Sequence, residues 1–141
     1  MRIVLMLSVL MLSMSAFAQN ESGLDLSLAN QLGSAAGAAY ACKAGKRLED
    51  YEVIASRLLA NLAATDADER TLNETYVEAK VQAIKLHKSK HPMACKEILQ
   101  RFKAMRIFKF VVYADGSVRM DDGTMSHPQR PVKKLSQNQK R

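Results

Sequence analysis

The sequence predicts a mainly α-helical protein: a small four-helix bundle stapled by one disulfide, then a short β-hairpin and a disordered basic tail. Three observations lead there. Apolar residues recur at helical spacing from Leu24 to Met105. The only two cysteines, Cys42 and Cys95, fall in two of these helical stretches. After Met105 the pattern changes to β-branched and aromatic residues closed by a turn signal. The expected organisation is a signal peptide over 1–18, a helical domain over 19–106, a hairpin over 107–122 and the tail over 123–141.

The signal peptide rests on three features. Met1 and Arg2 give a positive start, Ile3 to Leu12 an apolar run, and Ala16-Phe17-Ala18 an A-x-A cleavage signal. The run is shorter than the about 20 apolar residues a membrane span needs. Cleavage after Ala18 leaves 123 residues, enough for one small domain. No later segment is apolar enough to span a bilayer, and no cysteine near the cleavage site offers a lipid anchor. The expected location is a bacterial periplasm.

In that oxidising compartment two cysteines most simply pair; a metal pair or a reactive thiol are the alternatives. There is no C-x-x-C motif to favour redox chemistry. Closing the Cys42–Cys95 loop stabilises the fold by roughly 4 kcal/mol through chain entropy, large beside a net stability of about 5–15 kcal/mol.

Asp25 or Ser27 caps the first helix, and Leu24, Leu28 and Leu32 lie on one face. Gly33, Gly37, Ala41 and Gly45 recur every four residues beside a second row of Ser34, Ala38 and Cys42. Four-residue spacing stacks small residues on one helix face and lets another backbone approach closely. Packing against the third helix is the expected use of this face, and a homodimer contact the alternative. Gly45 is the expected stop, with the helix running to about Ala44.

The second helix is expected over Glu49 to Ala63, with a buried stripe of Tyr51, Ile54, Ala55, Leu58 and Leu62. Thr65, three residues before Asp68, is a new cap. The third helix follows, with a seam of Leu72, Tyr76, Ala79, Ala83 and Leu86. Pro92 ends that segment and opens a fourth helix carrying Ala94, Cys95, Ile98, Phe102 and Met105. Ile107 to Tyr113 reads as a strand, Asp115-Gly116 as a two-residue turn, and Val118-Arg119-Met120 as the returning strand. The alternative extends the last helix to Val112.

Charge is polarised. Residues 19–79 carry net −5, residues 80–109 net +8, and the tail +5. The basic pole offers Lys85, Lys88, Lys90, Arg101, Arg106 and Lys109 as partner-binding candidates for an anionic surface. Nucleic acid is disfavoured, because the basic helices lack interleaved exposed aromatics and DNA is scarce in a periplasm.

Catalytic candidates are few. His87, His91 and Cys95 stand four apart, which on one unbroken helix would present a metal face. Pro92 interrupts that face and the disulfide claims Cys95, so no metal or other cofactor is expected. No serine stands in a nucleophile elbow, Asp115, Asp121 and Asp122 fit turn chemistry, and the glycine stretch lacks the G-K-[ST] of a phosphate loop. A non-enzymatic binding role is the expectation.

The order Ala39-Tyr40-Ala41-Cys42, Tyr76-Val77-Glu78-Ala79, then Met93-Ala94-Cys95-Lys96-Glu97-Ile98-Leu99 resembles the periplasmic amidase-immunity proteins of type VI secretion systems. Those are small exported helical proteins, usually disulfide-bonded, that plug the active site of a cell-wall amidase. The resemblance covers roughly residues 35–105 and implies an inhibitor whose partner is a toxic periplasmic enzyme. The hairpin and basic tail depart from that pattern, and no inhibitory loop can be matched. The alternative function is a periplasmic accessory subunit of an envelope secretion or conjugation system, held through the hairpin edge or the tail.

Overall fold

The computed structural model describes residues 24–89 and 95–131. The expected signal peptide with its cleavage point, Lys90, His91, Pro92 and the tail's last ten residues lie outside them. The fold is mainly helical, with a Cys42–Cys95 disulfide and a small antiparallel sheet. Helix α1 spans Leu26–Ala41, α2 Lys46–Leu62, α3 Asp66–Ser89 and α4 Cys95–Lys103. A 3-10 turn, Arg106–Lys109, leads into strands β1 (Val111–Val112), β2 (Val118–Arg119) and β3 (Met125–Ser126). The strands pair antiparallel in the order β1-β2-β3.

The caps explain where the helices begin. Asp25 accepts a hydrogen bond from the Ser27 N–H at 2.9 Å and opens α1. Thr65 and Asp68 bond each other's backbone N–H at 3.1 and 2.9 Å, the reciprocal box expected ahead of α3. The end of α1 differs from expectation. Lys43, at φ 58°, is the left-handed residue, with the Ala44 N–H returning to the Ala39 carbonyl and the Lys43 N–H to that of Tyr40. That is a Schellman stop two residues before Gly45. Gly45 (φ 59°, ψ −136°) instead precedes the first residue of α2, a backbone region open chiefly to glycine. Its place in the helix-packing row is therefore corrected: it turns the chain, and a Cβ added there would meet nothing within 4 Å.

The two central glycines do pack. A Cβ on Gly33 would lie 2.2 Å from the Tyr76 carbonyl oxygen, and one on Gly37 2.3 Å from that of Lys80. The α1 backbone thus rests directly on α3, and this chain's own helix occupies the small-residue face. Ala36 and Ala39 are fully buried beside them, while Ala41 is half-buried at the helix end.

On α2, Leu48, Tyr51, Ala55, Leu58 and Leu59 are buried, and Ile54 and Leu62 pack partly against them. Tyr51 is wholly buried and donates to the Leu32 carbonyl at 3.0 Å, tying α2 to α1. Burial, and secondarily the charge of Glu52, pushes its phenol well above the ordinary tyrosine value. Phe102 of α4 and Phe108 of the 3-10 turn close on it, with ring centroids at 5.0 and 6.0 Å and 5.3 Å from each other. The Arg47 guanidinium covers Phe108 at 4.0 Å. On α3 the expected seam holds for Leu72 and Ala79, which are buried, and fails at Leu86, which is 57% exposed.

The C-terminal region brings the largest revisions. Residues 106–109 form a 3-10 turn that takes up the start of the strand expected from Ile107, because Ile107 and Phe108 turn inward to the core. The hairpin loop is three residues long, not two. The Gly116 N–H bonds the Tyr113 carbonyl, the Tyr113 N–H bonds the Ser117 carbonyl, and Gly116 is left-handed at φ 89°. The expected loose tail begins instead with a third strand. Asp121-Asp122-Gly123 repeats the same loop, with Gly123 at φ 86° and the Met120 N–H bonded to the Thr124 carbonyl. Asp115 and Asp122 each accept from the N–H two residues on, at 2.8 and 2.9 Å.

Polar side chains hold this sheet on the helices. Asn61, 3% exposed on α2, donates to the carbonyls of Gly116 and Ser126, both at 3.1 Å. Gln129 donates to the Leu62 carbonyl at 3.1 Å, and Arg130 pairs with Asp66 and Glu69 in the first turn of α3.

Candidate functional site

Register gives the sheet two faces. Val112, Val118 and Ser126 are cross-strand partners on the inner face; Val118 is wholly buried and the other two half-buried. Val111, Arg119 and Met125 are partners on the outer face, and all three are exposed. Period-two alternation carries Tyr113, 41% exposed, to that same outer face. The outer face is thus a row of two apolar side chains with a guanidinium between them, flanked by a tyrosine. Arg119 has no ion-pair partner among the described residues. Apolar area around one cation suits a protein surface that brings a carboxylate and apolar groups together.

The basic candidates are dispersed. Lys85 and Lys88 are exposed on α3, Arg101 on α4, and Arg106 and Lys109 on the 3-10 turn; Lys90 lies outside the described residues. Arg101 pairs with Glu97 one turn away. Arg106 grips Asp121 with two bonds, at 2.6 and 2.9 Å. That grip, chiefly its hydrogen bonding, lowers the Asp121 carboxyl below the ordinary aspartate value. Neither arginine therefore presents an uncompensated charge, though exposed pairs of this kind hold weakly. Arg119, which the sequence reading did not single out, is exposed without such a partner among the described residues. The signal available was its alternation with Val118 and Met120 across a D-G turn.

A second grouping lies at the disulfide. Cys42 and Cys95 are joined with Cα atoms 5.3 Å apart, as the sequence implied. His87, in the last turn of α3, places Nε2 3.5 Å from Cys42 Sγ and 3.4 Å from Cys95 Sγ. Sequence spacing had grouped His87 with His91 and Cys95 along one face. His91 lies outside the described residues, and the structure adds Cys42, 45 residues away, because the end of α1 reaches the end of α3.

A third grouping lies between α2 and α3, where Glu52 accepts from Lys80 and, at 3.4 Å, from Tyr76. Burial, then the Glu52 charge, raises the Tyr76 phenol far above its ordinary value, so it stays a hydrogen-bond donor. Lys80 also stands 5.6 Å from the centre of the exposed Tyr40 ring. These groups satisfy one another across a helix interface, which is a structural use. No helix of the described residues is long and apolar enough to cross a membrane. No family model, curated protein or solved structure matches this chain.

Proposed function

We propose that this is a non-enzymatic exported binding protein, an inhibitor of the immunity type that neutralises a toxic periplasmic enzyme. The observation that carries the reading is the outer face of the sheet, Val111, Tyr113, Arg119 and Met125, presented to solvent on a disulfide-tied helical body. An inhibitor gains affinity from such pre-organisation, because little side-chain or loop entropy remains to be lost on binding. The partner would bring a carboxylate to Arg119 and apolar groups to Val111 and Met125. The resemblance to amidase-immunity proteins supplies the enzyme class, and the A-x-A signal ending at Ala18 supplies the periplasm. Support for an accessory subunit held by strand pairing is weaker. Strands β1 and β3 offer edges only two residues long, and Arg130 is engaged with α3.

The test is rescue. A toxic exported enzyme encoded beside this gene is expressed alone and with the chain. Wild type restores growth, and an Arg119→Glu, Met125→Asp double variant with unchanged helicity does not. A deletion strain unharmed by sister cells and by every neighbouring candidate would overturn the reading. So would rescue undiminished by the double variant.

A further inference from the structure

The disulfide, His87 and their setting carry an inference independent of the partner. Three donors of the kind that hold zinc converge from three elements: Cys42 at the end of α1, His87 in the last turn of α3 and Cys95 at the start of α4. Their ligand atoms all lie within 4.8 Å of one another, and Cys42 is buried while the other two are half-buried. A disulfide has no need of an imidazole nitrogen against both sulfurs. A tetrahedral zinc site does: Zn–S bonds of about 2.3 Å and Zn–N bonds of about 2.0–2.1 Å set N···S edges of about 3.5 Å. The two edges here are 3.5 and 3.4 Å.

We propose that Cys42, His87 and Cys95 form a Cys2His site for a zinc-class ion, closed in the oxidised chain and opened by reduction. A dithiol reductant gives two electrons and two protons, itself closing to a disulfide. The Cys42–Cys95 bond breaks and two thiols form. Binding Zn2+ releases those two protons and makes two Zn–S bonds and one Zn–Nε2 bond, with water in the fourth position. The sulfurs need only separate to about 3.8 Å, the S···S edge of that tetrahedron. Gly33 and Gly37, seated against α3, keep the end of α1 beside His87 whether or not the bond is closed. The disulfide staples α1 to α4, and the metal would staple both of them to α3 as well.

The experiment uses the purified chain, oxidised or reduced with a small dithiol removed by anaerobic desalting. Zn2+ is titrated against a chromogenic chelator, and Co2+ serves as the spectroscopic probe. The expected result is one zinc per reduced chain, a thiolate-to-cobalt charge-transfer band, and no uptake by the oxidised chain. Loss of a second-shell partner alone costs about 10–100-fold in metal affinity, so His87→Gln should weaken binding by at least ~100-fold. Circular dichroism follows the fold throughout. If the reduced chain loses helicity, zinc should restore it in wild type and not in His87→Gln. Three results would overturn the proposal: no uptake by the reduced chain, equal affinity in His87→Gln, or helicity lost on reduction and not regained with zinc. None of them bears on the rescue test, so the two readings fail separately.

Discussion

The contact between α1 and α3 and the seating of the sheet on α2 solve the same problem by opposite means. Along α1, side chains are removed: Gly33 and Gly37 bring backbone against the carbonyls of Tyr76 and Lys80, and one covalent bond ties the end of α1 onward to α4. At the sheet, two-residue strands cannot hold themselves, so long polar side chains reach across. Asn61 ties the loop carbonyl of Gly116 and the strand-end carbonyl of Ser126 to α2, Gln129 a third point, and Arg130 a fourth on α3. Close packing by subtraction leaves a local signature in the sequence, since glycine every fourth residue is a visible pattern. Seating by polar reach leaves none, since Asn61 and Ser126 are 65 residues apart.

Substitutions can break or sharpen that contrast. The largest effect should come from Cys42→Ala with Cys95→Ala, which frees a loop of 53 residues and lowers unfolding free energy by roughly 4 kcal/mol in denaturant titrations. Next, Gly37→Ala should destabilise by about 1–3 kcal/mol, because the obstructing atom is backbone and cannot rotate away. This reverses the usual gain of up to ~1 kcal/mol for Gly→Ala in a helix, so a more stable variant would disprove the close contact. On the other side, Asn61→Leu should cost about 1–3 kcal/mol, since it strands the buried carbonyl of Gly116 and the half-buried one of Ser126. Amide exchange should show the loss concentrated in the strands, with α1 and α3 still protected. The smallest expected change is a gain. Lys43→Gly relieves the left-handed residue of the Schellman stop and should raise stability by about 0.5–1 kcal/mol, read as a higher thermal midpoint.

What was legible in the sequence divides along the same line. The Thr65–Asp68 box, the α2 stripe from Tyr51 to Leu58 and the Gly33–Gly37 face were readable, because spacing within one helix determines each. Cys42 and Cys95 were paired from compartment and count. Gly45 was misread as a packing residue, because four-residue spacing continues past the true helix end and carries no record of Lys43 adopting φ 58°. Ile107 to Phe110 has strand-like composition, yet the aromatic cluster around Tyr51 draws Phe108 into a 3-10 turn. Strand β3 went unread although the chain signals it twice: Asp115-Gly116-Ser117 and Asp122-Gly123-Thr124 are two copies of one turn. Of the candidate surface, Arg106 and Arg101 looked available by charge alone, and only their partners Asp121 and Glu97 show otherwise. His87 could not be placed against Cys42 by spacing, since tertiary packing alone brings them together.

The staple also has a mechanical consequence. Cys42 and Cys95 enclose the whole of α2 and α3, so a chain drawn from its ends transmits tension through the sulfur bridge and bypasses both helices. At about 3.3–3.6 Å per extended residue, the 53 residues withhold roughly 180 Å of length from a puller. A narrow pore would meet a doubled strand at that point. Threading the chain is therefore governed by the redox state of one bond, while the sheet, lying wholly outside the loop, can be peeled away under force in either state.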